Sequence, residues 1–463
     1  MEFKLSPLEI PSDQPFLFDR LKRGESVTTL LSLIQNLSGP YVIAVDSPWG
    51  TGKTTFLGFL RAVLEADGIA CLYFDAWKTD FSTDPLIAFL GELNDNLPNG
   101  AKDDARFNQF FGNAKRIASV LARRAIPVAG KIATAGILDF DDFTEQTISE
   151  FVGTQLNDAV DSYTAEKKLI QSFRKNLSDA LDSIDYSQAN HKLVIVVDEL
   201  DRCKPTYAIQ LLERIKHLFD LENVIFIIAL DKQQLGVSIG AVYGAGIDAD
   251  EYLRRFFDLE YSLPKADPAE FTKCLYERFG FDEFFDARTH SELRHEKQHL
   301  LDIFVALSQL LGLSLRAREQ CFSRIRIALL MTKENHFLYP IMVSTLAMLK
   351  VANPSLYLGY AFGSTTSREV VDFLASKPGG SELLNSHFGA IIETYIIVSK
   401  TSPHEDSAEL VECRVLANDS SIADEARARV NRILEIANYL SSMNPPQLHF
   451  IVSKLELAAQ FDR

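Results

Sequence analysis

Apolar positions along the chain fall into two periods. Tyr41 to Val45, Ala70 to Phe74, Leu193 to Val197 and Asn223 to Leu230 are short, nearly unbroken apolar runs. Runs of that length predict strands, and Leu193 to Val197, mostly β-branched, reads as a strand buried within a parallel sheet. Ser26 to Leu37 instead carries apolar residues at 27, 30, 31, 34 and 37, the spacing of one helix face. Thr206 to Phe219 reads as a helix after the third run, and Pro85 opens another, with Asp84 as its cap. Residues 95–113 are polar and broken by Pro98, Gly100 and Gly112, which predicts a loop or short helices. From about residue 266 the period is helical: Phe271 to Phe281, Lys297 to Leu311, Ala317 to Met331, Leu338 to Lys350, Leu383 to Lys400 and Ile422 to Leu440. Strands alternating with helices, then helices alone, predict a doubly wound, mostly parallel α/β sheet followed by a helical domain. No internal repeat or low-complexity run interrupts the pattern.

The junction after the first strand carries the chemistry. Ser47-Pro48-Trp49-Gly50-Thr51-Gly52-Lys53-Thr54-Thr55 lies between a strand and a helix start. That context turns a glycine-rich match into a phosphate cradle. Gly50 and Gly52 let successive backbone N–H groups turn inward, and the helix beginning near Lys53 adds its positive end. Ser47 stands where the common form has its first glycine. Lys53 is placed to reach β- and γ-phosphates, and the Thr54 hydroxyl to hold Mg²⁺. About 145 residues on, the third run ends in Asp198-Glu199-Leu200-Asp201-Arg202-Cys203, carboxylates at the strand edge where open α/β sheets bind ligands. Asp198 is the expected Mg²⁺ partner of Thr54. Glu199 and Asp201 are both candidates to orient and deprotonate the attacking water. Asp231, ending the fourth run, is either a sensor of the terminal phosphate or a helix N-cap. No guanine signature follows the strands, which favours ATP.

Taken together, Trp49-Gly50-Thr51-Gly52-Lys53-Thr54 and Asp198-Glu199-Leu200-Asp201-Arg202-Cys203-Lys204-Pro205 resemble the KAP family of P-loop NTPases, with Glu199 where that family usually has Asp. Tyr73-Phe74-Asp75-Ala76-Trp77-Lys78, Val224 to Lys232, and Tyr252-Leu253-Arg254-Arg255-Phe256-Phe257 up to Leu263-Pro264 resemble further blocks in the same order. The resemblance implies a KAP-type domain over residues 1–265, with a helical insert at about 98–190. It leaves 266–463 as a helical lid or effector domain. It implies the additional-strand class of P-loop fold, in which another strand separates the phosphate-loop strand from the acidic one. It also implies ATP and Mg²⁺ as ligands, and a family spread between bacterial phage-exclusion or defence proteins and animal membrane scaffolds. Enzymes of this kind complete the site with arginine. Arg254 and Arg255 are the candidates from a neighbouring subunit of a homo-oligomer, and Arg316, with Arg318 behind it, from the helical domain.

Composition narrows the setting. The 463 residues are 47% hydrophobic and 24% charged, ordinary globular material with room for two or three cores. Five cysteines without a C-x-x-C fit neither a disulfide framework nor a zinc cluster. With no apolar leader in residues 1–15, a cytoplasmic protein is expected. A net charge of −16 speaks against a broad nucleic-acid surface but leaves room for a local groove. The most basic stretch, Lys115 to Arg124 and on to Lys131, lies where relatives often carry membrane helices. Its uncharged runs, Ala125 to Gly130 and Ile132 to Leu138, fall far short of the roughly 20 residues that span a bilayer. A soluble amphipathic insert packing on its own domain or on a neighbour is expected there. The acidic Asp139, Asp141, Asp142 and Glu145 that follow read as an exposed connection.

His295-Glu296-Lys297-Gln298-His299 matches a zinc-protease form. Its charged flanks read instead as a solvated helix face, so no metal is assigned. The expectation is an ATPase that drives a conformational or assembly switch, its helical domain reaching a partner protein. A nucleotide-gated scaffold with little turnover and a nucleic-acid-stimulated motor or clamp stay open.

Overall fold

The computed structural model describes residues 8–82, 84–96, 105–124, 159–182, 192–333, 335–400, 407–419, 421–442 and 446–456. The runs around 125–138, Lys131 and the acidic connection Asp139 to Glu145 lie outside them. Residues 9–19 and 23–264 form one compact unit. Leu8, residues 20–22 and the chain from Lys265 onward belong to another.

The first unit is built on five parallel strands: β1 (Tyr41–Asp46), β2 (Ala70–Asp75), β3 (Leu193–Asp198), β4 (Val224–Leu230) and β5 (Leu259–Ser262). Their order across the sheet is β2-β3-β4-β1-β5. All residues of β3 and β4 are buried, whereas β5, at one edge, alternates between half-buried and exposed positions. Unbroken apolar runs thus mark the central strands, as burial on both faces requires. β4 separates β1 from β3, pairing Tyr41 to Asp46 with Ile225 to Leu230 on one side and Leu193 to Val197 with Val224 to Ile228 on the other. This is a P-loop fold of the additional-strand class.

Helices α1 (Gly24–Asn36), α2 (Lys53–Ala66), α3 (Ala76–Thr79) and α4 (Pro85–Asn96) precede two long ones, α5 (Ala105–Arg124) and α6 (Ala159–Asp182). After β3 come α7 (Pro205–Leu218), α8 (Lys232–Tyr243) and α9 (Ala249–Leu253). Asp84 caps α4 by accepting from the Leu86 N–H at 2.7 Å and also pairs with Arg214 at 3.1 Å. The loop or short helices expected at 95–113 give way from residue 105 to the long helix α5, which is helical through Gly112, while residues 97–104 lie outside the described ones. Phe107, Phe111, Ala114, Ala118 and Leu121 face the core together with Phe173 and Leu177 of α6. Burying such side chains contributes about 1.5–3 kcal/mol each, more than the roughly 1 kcal/mol that an interior glycine costs. The basic stretch Lys115 to Arg124 is therefore one side of a helix that packs into the core of the first unit. Lys115 donates to Asn94 Oδ1 at 2.7 Å and lies over the Phe111 ring.

The second unit is helical: α10 (Pro268–Arg278), α11 (Phe281–Asp286), α12 (Glu296–Leu310), α13 (Leu315–Leu330), α14 (Pro340–Ala352), α15 (Pro354–Phe362), α16 (Ser367–Ala375), α17 (Gly380–Asn385), α18 (His387–Val398), α19 (Ala408–Ala417), α20 (Asp424–Ser442) and α21 (Leu448–Leu455). α15, α16, α19 and α21 go beyond what the periodicity showed. α14, buried along almost its whole length, is the centre of this core. No helix among the described residues is long and apolar enough to cross a membrane.

The zinc-like stretch receives a different role from the one its flanks suggest. Glu296 is buried, pairs with Arg288, and accepts from the Leu338 and Tyr339 N–H groups at 2.9 and 3.1 Å. It anchors the turn into α14, so the reading as a solvated face fails for Glu296. No cluster of three metal-binding side chains occurs among the described residues.

Beside this pair, Lys454 of α21 is 2% exposed and donates to Thr332 Oγ1 at 2.9 Å. Burial pushes its ammonium down to about 8, with Glu296 pulling it back up and Arg288 pushing it further down. Below pH 8 the lysine is charged in both folded and unfolded chains, so the fold carries a buried charge. Between pH 8 and the ordinary lysine range the unfolded chain keeps a proton that the folded chain has released, and stability rises with pH. Lys454→Met is expected to melt above the parent at pH 7, with the gap narrowing by pH 10. A gap independent of pH in thermal denaturation would count against this burial effect.

Candidate nucleotide site

The site grows from the ends of β1, β3 and β4. Leaving β1, Ser47 N–H donates to Leu230 O at 3.1 Å, tying the loop to β4. The chain then turns through Gly50 (φ 74°) and Gly52 (φ 87°), left-handed conformations that a side chain would strain, and enters α2 at Lys53. Inside the turn, Ser47 Oγ donates to Thr51 Oγ1 at 2.7 Å, which in turn donates to Pro48 O at 2.8 Å. Ser47 thus braces the loop where the common form has glycine. Lys53 Nζ contacts Ser47 O and lies 3.4 Å from Pro48 O. Burial lowers its pKa, while Asp201, Asp231, Asp198 and Asp46 act in the opposite direction. Four carboxylates around one ammonium leave the pocket short of positive charge, which suits a divalent cation.

Asp198 stands at the tip of β3, two strands away from β1. Thr54 Oγ1 nevertheless donates to its Oδ2 at 2.9 Å, and Tyr73 OH donates to the same oxygen at 2.7 Å. The other oxygen accepts from the Glu199 N–H at 2.8 Å. One alcohol and one carboxylate converging from α2 and β3 form a hard oxygen pair of the kind Mg²⁺ takes. Thr55 follows in the first turn of α2. Glu199 has a left-handed backbone (φ 59°), and its carboxylate pairs with Arg202 at 2.6 Å. Arg202 also lies over the Trp77 ring. Asp201 is buried and accepts from the Trp49 indole N–H, so the two candidate bases differ sharply in surroundings. Burial raises the Asp201 pKa, against the Trp49 hydrogen bond and Lys53.

Asp231 performs the capping function and more. One oxygen accepts from the Gln234 N–H at 3.2 Å, starting α8, and the other from the Trp49 N–H at 3.2 Å. Both donors of Trp49 are thus held by carboxylates, on Asp201 and Asp231. Arg254 and Arg255 make contacts outside this cluster. Arg254 pairs with Glu251 at 2.8 Å and Arg255 lies over the Tyr252 ring, both exposed. Arg316 is exposed in the first turn of α13, within the second unit. Arg318 is buried and donates to Leu313 O at 3.0 Å and Pro268 O at 3.5 Å, contacts that serve its own fold.

A model of the KAP family P-loop domain matches residues 25–329, more than half of the chain. The chain belongs to the KAP family of P-loop NTPases. The KAP match runs past the first unit into α13. No curated protein matches the chain. Among solved structures, the Aeropyrum pernix ORC1 protein in complex with DNA is similar over 95% of this chain and 94% of that one, at 12% identity and a TM-score of 0.33.

Sequence reading placed Trp49 in the phosphate loop but found neither its two carboxylate partners nor Tyr73 as part of this KAP site. Tyr73 lay within a quoted block, but only the fold brings its hydroxyl to Asp198. Trp49 and Trp77 are the only tryptophans in the chain, and both stand at this edge of the sheet. A phosphate entering the cradle competes with Asp231 for the loop's N–H groups. Titration with ATP is therefore expected to change tryptophan emission, and Trp49→Phe to remove most of that change. Emission unaltered by saturating ATP would mean that the Trp49 contacts persist in the bound state.

Proposed function

We propose that the chain hydrolyses ATP with Mg²⁺ and uses the reaction to switch conformation or assembly. The observation that carries this reading is the 2.9 Å contact of Thr54 with Asp198, which joins the phosphate loop to the acidic strand across β4. A loop that merely binds an anion has no need of that pair. Lys53 swings from Ser47 O to the β- and γ-phosphates, and the N–H groups from Gly50 to Thr55 cradle them. Thr54 and Asp198 would hold Mg²⁺, which would supply positive charge to the phosphate oxygens. Glu199 orients the attacking water and accepts its proton. Asp201, occupied by the Trp49 indole, is the alternative base.

Arg254 and Arg255 are exposed and so available to the site of a second copy, where an arginine raises turnover by about 10³–10⁵-fold. The helical unit is the lid or effector, with Arg316 as its sensor and a partner protein as its target. A defence role, which the family resemblance suggests, and a cytoplasmic setting complete the proposal. The scaffold reading draws on the Glu199–Arg202 ion pair, which occupies the proposed base.

Phosphate release from Mg²⁺-ATP, with particle size followed by light scattering, tests the reading. Release that stops when the metal is chelated supports hydrolysis. ATP-dependent assembly without release transfers the support to a nucleotide-gated scaffold. Turnover raised by DNA or RNA and lost with salt would indicate a nucleic-acid motor.

A further inference from the structure

On the β5 side of the phosphate loop two charged groups have unmatched atoms. Arg23, the residue before α1, is 2% exposed. Its Nη2 donates to Thr51 O at 2.8 Å and to Pro264 O at 3.3 Å. Its Nε and Nη1 are buried and have no hydrogen-bond partner among the described residues. Asp19 is the complement: Oδ2 accepts from the Gly24 N–H at 2.7 Å, and Oδ1 is buried without a partner. The two lie close enough for Asp19 to act on the Arg23 charge, which burial lowers to about 10. Among the described residues no ion pair joins them. Native proteins rarely leave buried donors and acceptors unmatched, so such a set calls for a partner.

The sheet order says which part of a nucleotide would arrive there. Asp198, Asp201 and Asp231 follow β3 and β4, on one side of β1, while Pro264 follows β5, on the other. With the terminal phosphate directed to Thr54 and Asp198, the nucleoside leaves the loop on the opposite side, past Thr51. Tyr261, which also acts on the Arg23 charge, stacks on Phe56 of α2 with ring centroids 6.1 Å apart. The half-buried Tyr261 ring therefore lies near Arg23.

We propose that Asp19 and Arg23 read the edge of the nucleotide base. Asp19 Oδ1 accepts from a base N–H, and Arg23 Nε and Nη1 donate to the acceptor beside it. The proposal rests on the phosphate-loop reading above and extends it to base selection. A carboxylate and a guanidinium side by side match an edge on which donor and acceptor alternate, whereas the phosphates offer acceptors only.

Competition titrations on the full chain test it, using ATP, GTP, 2′-deoxy-ATP and inorganic tripolyphosphate against a fluorescent ATP analogue. Asp19→Asn and Arg23→Gln are each expected to weaken ATP by roughly tenfold or more. Both should narrow the ATP-to-GTP ratio, and Asp19→Asn should leave tripolyphosphate affinity unchanged, whereas Arg23→Gln also loses the donor to Thr51 O. Parallel loss of ATP and tripolyphosphate in Asp19→Asn would overturn the proposal, leaving the pair as a brace for the loop. Loss confined to discrimination against 2′-deoxy-ATP would overturn it in favour of ribose contact, and unchanged ratios would overturn it outright. Asp19→Asn, which keeps side-chain shape, carries the test if Arg23→Gln fails to fold. Lys53→Ala separates the two readings, because it should lose tripolyphosphate and ATP together. A wild-type chain that binds neither would defeat both.

Discussion

Lys53→Ala is expected to lower ATP turnover by about 10²–10³-fold, the effect of removing one preorganised charged donor from a developing phosphoryl charge. Binding should weaken as well, because Lys53 is the cation that faces Asp46, Asp198, Asp201 and Asp231. At an effective dielectric near 20, two unit charges 4 Å apart interact by about 4 kcal/mol. Without the ammonium, an incoming triphosphate meets that field with only the metal to offset it. Stopped-flow binding and phosphate release on the variant check both parts. A variant that keeps wild-type turnover would remove Lys53 from the site, and the phosphate-loop assignment with it.

Glu199→Gln should separate binding from chemistry. Turnover is expected to fall by about 10²–10⁴-fold, the range for loss of a positioned general base, while ATP affinity stays near the parent value. The geometry sets up a direct comparison with Asp201→Asn. Asp201 is buried against Trp49, so its amide variant should perturb tryptophan emission and have the smaller effect on turnover. Glu199 lies at the tip of β3, next to Asp198, and is held by Arg202. Single-turnover phosphate release on both variants decides the matter. The larger loss in Asp201→Asn would transfer the base to Asp201 and leave Glu199 as a partner of Arg202.

What could be read from sequence follows from how local each signal is. β1, β3 and β4 were visible because strands covered on both faces must be apolar without interruption. Lys53, Thr54 and Asp198 were visible because a phosphate cradle demands particular residues at fixed offsets from a strand end. Asp198 was expected opposite Thr54, 144 positions away, from the two motifs, whereas the contacts of Tyr73 with Asp198 and of Trp49 with Asp201, 125 and 152 positions apart, were not visible. Such pairings depend on strand order, which no local pattern encodes. The first half of α5 was missed because Gly112 and polar neighbours argued for a break, while the apolar side of the helix packs on α6 and the sheet. Glu296 was misjudged for the same reason. Its sequence neighbours are charged, but its partners Leu338 and Tyr339 come from a turn more than 40 residues away. β5 has four residues, too few and too exposed to stand out.

The strand between β1 and β3 supplies neither metal-binding nor phosphate-binding groups, yet it acts as the gauge that sets their separation. Neighbouring strands lie about 4.8 Å apart, so the span from the end of β1 to Asp198 is two such steps with β4 as the spacer. Side-chain orientation in a strand repeats every two residues, and a one-residue slip reverses every face. A single insertion or deletion within Val224–Leu230 would therefore move Asp231 away from Trp49 and Leu230 away from Ser47, with every motif residue still spelled correctly. Exchanges among isoleucine, valine and leucine in β4 should be tolerated, whereas a change in its length should not. Judging whether a relative with intact motifs is a working enzyme thus begins with counting the residues of the strand that carries none of them.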